Sequence, residues 1–374
     1  MWVDLDAVAS RYRSMSVIGL KGETGLPEEF LRRVRRDGVF FLFPRADAEF
    51  YFASCLADGF RELGIPIHAN FNAWPLREAG RQWLFPSSSM PPAAAAIVIG
   101  DISHIEACPA ECRRISDFIV TLPQRGALLC MSDSANGLAF PPTVTVLTAH
   151  GLARVKRPNR HIAWAFGLNR DVLQKIESAR ISSRGQPRKS AFIRNFRPSL
   201  NQSVRQVLDL AFVSILGKHF VLDRVLDEGG RFPESFYTRL ATSLGCLAYG
   251  GHFFEDLSRN PYFRERAHVV HYIIGDDPLV ARWDSWRFWE SLASGCLTVT
   301  LDFDEYGFLL PVSPVNRSHY VGLRFDRLND AIDILTGERD ELAEIAERGR
   351  HWALTHYSPA PTALRFLRIM AQST

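Results

Sequence analysis

The sequence predicts an α/β protein built from two doubly wound domains that face a central cleft. Three observations predict it. Short apolar runs alternate with stretches of helical spacing, the runs close on small or polar clusters, and the alternation breaks once near the middle and then restarts. A chain of 374 residues suits two domains, and 47% apolar with 23% charged residues is ordinary globular composition. Disordered, collagen-like and disulfide-stapled classes are thereby excluded.

Residues 1–36 read as a helix and a surface edge, ending in Arg32, Arg33, Arg35 and Arg36. Val39–Phe43 is a short apolar run closed by Pro44, which is the pattern of a buried strand. From Ala46 to Leu63, Phe50, Ala53, Ala57 and Phe60 share one helix face, and Gly64 ends the helix. Ile65–Ala69 is the next strand, which completes a right-handed β-α-β unit. Ala96–Ile99, Ala127–Met131 and Val144–Leu147 read as further strands with polar ends. These elements form an N-terminal domain over residues 1–165, expected on the acceptor side of the cleft.

Residues 166–189 read as a linker, because Ser182–Ser190 is polar, contains Gly and Pro, and lacks apolar periodicity. A second domain then spans 190–374. Its strands are Ala191–Ile193, Phe220–Leu222, Leu244–Tyr249, Val269–Ile274 and Cys296–Leu301. Its helices are Gln202–Leu216, Pro233–Ser243, Asp284–Ser294 and most of Asp330–Leu367, and the last helix is free to pack back on the first domain.

A net charge of +3 gives no nucleic-acid footprint. The basic side is 39 arginines against five lysines, and arginine favours planar contacts to phosphate and carboxylate. Six scattered cysteines lack zinc spacing and read as reduced thiols. The first residues carry Asp4 and Asp6 where a signal peptide has a basic patch, and no apolar run reaches membrane-spanning length. The expectation is a cytoplasmic protein, with peripheral association at the inner face of a membrane left open.

Asp284-Ser-Trp-Arg-Phe-Trp-Glu-Ser-Leu-Ala-Ser-Gly-Cys296, followed by a β-branched strand, is the most informative stretch. Read from its residues, it is a capped helix whose Arg287 and Glu290 are surface neighbours. The pattern also resembles the donor-binding domain of GT-B glycosyltransferases, nearest the exostosin-like and group 1 branches. Tyr237–Ser243 with Cys246–Gly251 is similar to that family's helix and strand leading to the donor, and Trp352–Pro359 to its C-terminal end. The likeness covers about residues 190–370.

The resemblance implies two Rossmann-like domains in the GT-B arrangement and a bacterial hexosyltransferase of polysaccharide biosynthesis. It implies transfer from a nucleoside-diphosphate sugar to a glycan, lipid-linked or small-molecule acceptor, with no cofactor and no metal. It places Glu290 on the ribose and Asp284, Ser285 and Arg287 near the phosphates or base. Eight residues before Glu290, where retaining group 1 enzymes often carry another glutamate, stands Arg282. That departure favours inversion.

Arg194, Arg197 and Ser199 follow the first strand of the second domain and are expected at the diphosphate. Gly250 and Gly251 close another strand and permit a backbone to approach a ligand. An inverting transfer needs a base from the first domain. Asp101, Asp133 and His104 are the candidates, with His68 and His150 also at strand ends. Phe71, Trp74, Trp83 and Phe85 fit core or lid packing, or stacking on a sugar. The competing reading is a non-catalytic nucleotide- or glycan-binding protein. A nucleotide-dependent epimerase is disfavoured, because Pro44-Arg45-Ala46-Asp47 stands where a Gly-x-Gly-x-x-Gly turn belongs.

Overall fold

The computed structural model describes residues 25–45, 51–72, 84–103, 105, 107–122, 125–131, 140–141, 143–153, 160–196, 203–225, 234–253 and 280–372. In chain order the first half runs α1 (Glu28–Asp37), β1 (Val39–Leu42), α2 (Tyr51–Glu62), β2 (Ile67–Ala69), β3 (Ile97–Asp101), α3 (Pro109–Val120), β4 (Gly126–Met131), β5 (Thr145–Ala149), β6 (Gly151–Leu152), β7 (His161–Ala163) and α4 (Arg170–Ser182). The second half runs β8 (Lys189–Ile193), α5 (Ser203–Leu208), β9 (Val221–Asp223), α6 (Glu234–Thr242), β10 (Ser243–Leu247), β11 (His252–Phe253), β12 (Val280–Ala281), α7 (Trp286–Ala293), β13 (Leu297–Leu301), α8 (Phe303–Tyr306), β14 (Phe308–Leu309), β15 (Val321–Leu323), α9 (Leu328–Leu335), α10 (Arg339–Tyr357) and α11 (Pro359–Ala371).

Two parallel sheets result, a six-stranded one in the order β2-β1-β3-β4-β5-β7 and a five-stranded one in the order β15-β13-β10-β8-β9. Two doubly wound α/β sheets are thus observed. Strands β1, β3, β5, β10 and β13 are buried along their whole length, and the residues between their apolar positions are mostly small or β-branched, Thr, Ser and Gly, which such strands can bury. One face of the first sheet packs on α3 through Ile115, Ile119, Cys112 and Val98. Its other face shares a core with α2, α11 and the second sheet.

The chain crosses between the sheets twice. On the return, α11 packs on α2, and Gly59 marks the crossing: a Cβ there would lie 2.1 Å from the Pro359 carbonyl oxygen. On the way out, Asn169 caps α4 by accepting the Val172 N–H (2.9 Å) and also donates to Ser54 Oγ (3.4 Å). Asp58 on α2 accepts the Arg170 N–H at 2.8 Å. Residues 170–182, read from sequence as linker, are therefore helical, with Val172, Ile176 and Ala179 buried. The short loop after them is exposed except for Ser183 and the partly buried Arg188, which reaches in to the carbonyls of Leu240 and Ser243 (2.9 and 2.7 Å).

The expected helix over 202–216 is present from Ser203 but underwinds in its middle. After α5 it continues as a π-helical stretch, Asp209–Val213, and a last α-turn, Ser214–Leu216. The expected strand over 269–274 and most of the expected helix in 1–36 lie outside the described residues. Among the described residues no helix is long and apolar enough to cross a membrane, and the six cysteines are buried and form no disulfide.

Candidate functional site

β8 and β10 lie side by side in the second sheet, and their C-terminal ends carry the only-partly satisfied polar groups of the site. Arg194 follows β8. Its fork is held by Asp209 of the π-helical stretch, with Nε at 2.8 Å and Nη2 on the other carboxylate oxygen, and Nη1 donates to the Phe196 carbonyl at 3.1 Å. Arg205 on α5 donates through Nε to the Tyr249 carbonyl at 3.2 Å. The Phe196 ring contacts both guanidiniums, at 4.5 Å from Arg194 and 5.5 Å from Arg205. Arg287 enters from α7, its guanidinium 5.9 Å from the Phe236 ring centre.

This cluster has excess positive charge. Asp209 is consumed by Arg194, and Arg205 and Arg287 have no ion pair among the described residues. Burial, then the repulsion of Arg287, pulls the Arg205 pKa down to about 10. Arg205 therefore keeps its charge at neutral pH. The Tyr249 hydroxyl, buried between Arg194 and Arg205, has no hydrogen-bond partner among the described residues, and neither has Arg287 Nε. Buried donors without partners are rare in native proteins and mark places where something else supplies the acceptor.

Across the seam, β5 of the first sheet ends at His150, in the left-handed region at φ 57°. Its Nδ1 accepts the Asp284 N–H at 3.0 Å. The neutral ring therefore carries its proton on Nε2, and that buried N–H meets no partner among the described residues. Burial, then His252, pushes the His150 pKa down to about 3. His150 is accordingly a neutral hydrogen-bond donor at physiological pH. His252 on β11 has a buried Nδ1 that is likewise unpartnered among the described residues. Arg282, opposite, is also left-handed at φ 50°.

The seam beside this cluster is closed by direct contacts. β6 pairs antiparallel with β14, Gly151 opposite Leu309 and Leu152 opposite Phe308. Trp283 donates from its indole to the Gly151 carbonyl (3.1 Å) and stacks on Phe308 at 4.7 Å. Phe166 stacks on Trp286, covering the first turn of α7.

Several expected site residues take other parts. Asp284 is a buried clamp between the two halves of the chain. One carboxylate oxygen accepts the Phe166 N–H (3.1 Å) and the other the Trp289 indole (2.7 Å), so both are spent on protein. Burial raises its pKa to about 7 against those hydrogen bonds. Glu290 is 2% exposed and accepts the Tyr237 hydroxyl at 3.0 Å. Four residues into α7, its side chain turns toward α6, and the carboxylate lies between the two helices. Burial raises its pKa, opposed by Arg287 and Tyr237.

Ser285 is buried at the start of α7 and makes no side-chain cap. Gly250 packs on it, and Gly251, at φ 103°, packs on β12, where a Cβ would lie 2.8 Å from the Ala281 carbonyl oxygen. The close approach these glycines permit is to the chain itself. Asp101 is 1% exposed, and its Oδ1 accepts the Ser103 N–H at 2.9 Å in its own turn. Arg287 stays in the cluster. Arg197, Ser199, Asp133 and His104, with Trp74 and Trp83, lie outside the described residues. Phe85 is core, edge-on to Phe41 and Phe43 at 4.9 and 4.7 Å.

Two members were given no role from sequence, although each stands in a stretch that held a candidate. Arg205 falls in the first turn of the helix after β8, beside the buried Val204, and an arginine bordering an apolar helix face at that place was a readable signal. Tyr249 ends an apolar run just before two glycines, where only the structure shows that its hydroxyl is stranded. Among the described residues, no group of three or more His, Cys, Asp or Glu side chains could hold a metal ion.

No protein-family model matches the chain, and no curated protein matches it. Among solved structures it is similar to an alpha-glucosyltransferase in complex with UDP-glucose and DNA containing an abasic site. The identity is 9%, the TM-score 0.46, and 89% of this chain and 98% of that one are covered. It is also similar to AviGT4, a glycosyltransferase involved in avilamycin A biosynthesis, at 15% identity, TM-score 0.42 and coverage of 90% and 98%. A third is Alr3699/HepE of Anabaena in complex with UDP-glucose, at 9% identity, TM-score 0.44 and coverage of 90% and 100%. At identities this low, the functional reading rests on this chain's own residues.

Proposed function

We propose that the chain is a glycosyltransferase that moves a sugar from a nucleoside-diphosphate sugar to an acceptor hydroxyl. The observation that carries this reading is the cationic cluster at the ends of β8 and β10. Arg205 and Arg287 are without carboxylate partners among the described residues, and the Tyr249 hydroxyl is stranded beside them. In this reading the two guanidiniums and the tyrosine hydroxyl hold the diphosphate. As the bond to the sugar breaks, negative charge builds on the leaving phosphate, and fixed cations in a partly buried site stabilise it without rearranging. Arg194 keeps Phe196 and Asp209 in place beneath them.

His150 meets the donor from the other side. With Nδ1 tied to the Asp284 backbone, its Nε2–H is a fixed donor for a sugar hydroxyl or phosphate oxygen, and its lowered pKa keeps it from acting as an acid. Direct attack by the acceptor requires a base. Asp101, whose Oδ1 accepts within its own turn, and Asp133 and His104, which follow β4 and β3 closely in sequence, are the candidates for that role. The arginines supply the charge that a metal would otherwise supply.

The test is a thermal-shift screen against UDP-, GDP-, dTDP- and CMP-sugars. A transferase is stabilised by its own donor through binding linkage, and Arg287→Ala removes that stabilisation. A chain stabilised by none of the four is not this kind of transferase.

A further inference from the structure

We propose that Arg180, Arg188 and Arg350 form a second anion site, for a small phosphate-bearing anion, at the opposite end of α7 from the donor cluster. α7 carries Arg287 in its first turn and ends at its cap, Ser294. Three elements each bring an arginine to that end. Arg180 is in the last turn of α4, Arg188 stands just before β8, and Arg350 lies in α10. The Ser294 carbonyl accepts from Arg180 Nη1 at 2.9 Å and from Arg188 Nη2 at 3.2 Å, so two guanidiniums share one oxygen. A Cβ on Gly295 would lie 2.7 Å from Arg180 Nη1, 3.3 Å from Arg350 Cδ and 3.6 Å from Arg188 Nη2. The three side chains converge on a residue that has none of its own.

Cations favour a helix C-terminus, but this end needs few of them. The carbonyls of Glu290, Ser291 and Leu292 already accept the N–H groups of Ser294, Cys296 and Gly295. Arg350 Nε is buried without a partner among the described residues. The acids do not match the cations. Glu347 meets Arg350 Nη1 at 3.2 Å and is 62% exposed. Glu347 and Glu177 are the acids whose charge reaches Arg180, and neither forms an ion pair with it among the described residues. Glu344 is taken by Arg348 at 3.0 Å. Arg184 and Lys189, exposed on either side of Arg188, add positive charge. Burial, then the repulsion of Arg350, lowers the Arg180 pKa.

Guanidiniums arriving from three directions match the several acceptor oxygens of a phosphate, whereas a carboxylate engages one fork. A phosphate oxygen would also complete the stranded Arg350 Nε. The inference is independent of the proposed reaction, because it uses none of the residues assigned to the donor.

Calorimetric titration of the full chain with inorganic phosphate, and separately with glycerol 3-phosphate, tests it at an ionic strength held with sodium chloride. Arg205→Ala is the background, because it weakens the donor cluster and leaves this site intact. Binding should persist there, and Arg180→Gln and Arg350→Gln should each weaken it roughly tenfold. The tighter ligand shows whether the free ion or a phosphomonoester is the occupant. Without phosphate, either glutamine variant should melt no lower than the background protein, since a like charge is removed. No binding in Arg205→Ala, or affinity untouched by both glutamine substitutions, overturns the proposal. So do melting temperatures that fall equally with and without phosphate, which would make the arginines caps of α7 and nothing more. Binding to wild type that vanishes in Arg205→Ala would place the phosphate in the donor cluster alone, so this site can fail while the proposed reaction stands.

Discussion

Two neighbouring regions treat buried polar groups in opposite ways. Along the seam, each carboxylate and amide side chain has its partners. Asp284 accepts from Phe166 and Trp289, Asp58 accepts from Arg170, and Asn169 accepts from Val172 and donates to Ser54. At the ends of β8 and β10, by contrast, Arg287 Nε and the Tyr249 hydroxyl are left without partners among the described residues, as is His150 Nε2 across the seam. Burial is common to both regions, so burial does not distinguish scaffold from site. Hydrogen bonding separates them better, although single buried groups of the scaffold, such as the Trp352 indole N–H and Thr362 Oγ1, are also without partners among the described residues.

The comparison breaks most readily at the cluster. Arg205→Ala should weaken binding of a nucleoside diphosphate roughly tenfold to a hundredfold, the usual scale for one charged hydrogen-bonding partner, while leaving the apo protein as stable or slightly more so. Calorimetric titration and a melting curve read the two effects separately. The next effect belongs to the seam. Asp284→Ala strands the Phe166 N–H and the Trp289 indole and should cost about 2–4 kcal/mol in urea unfolding.

A smaller effect tests Glu290. Glu290→Gln retains an acceptor for Tyr237 and removes a charge whose burial is unfavourable, so stability should hold or rise and nucleotide affinity should be unchanged. A large loss of affinity would return Glu290 to the ligand.

The smallest effect is a pH dependence. Burial raises the Asp58 pKa to about 6, above its unfolded value. Between about pH 4 and 6 the folded state holds a proton that the unfolded state has lost, so this group's contribution to stability falls as pH rises through that window and is flat above it. Asp58→Asn keeps an acceptor for the Arg170 N–H and should gain on wild type between pH 5 and pH 8 in urea midpoints. A constant difference across that range would mean that Asp58 does not titrate there.

Much of the scaffold was legible because short runs such as the apolar Val39–Phe43 and the β-branched Leu297–Leu301 are too brief for helices and are punctuated by glycine and proline. α4 was taken into the linker because of the polar stretch after it, although Val172, Ile176 and Ala179 fall on one helix face and Asn169 was a cap in plain view. The site was legible as a neighbourhood but not atom by atom. Sequence placed Arg194, Arg287 and Glu290 close to one another, yet which arginine is consumed by Asp209, and which acid by Tyr237, depends on partners 15 and 53 residues away. The π-helical stretch that brings Asp209 under Arg194 has no signature in helical periodicity.

One titration tests the central claim most directly. Nucleoside diphosphates are titrated into wild type, Arg205→Ala and Glu290→Gln in parallel. The account predicts binding to wild type and to Glu290→Gln with similar affinity, and a loss of roughly tenfold or more in Arg205→Ala. Affinity that survives in Arg205→Ala and collapses in Glu290→Gln would contradict it.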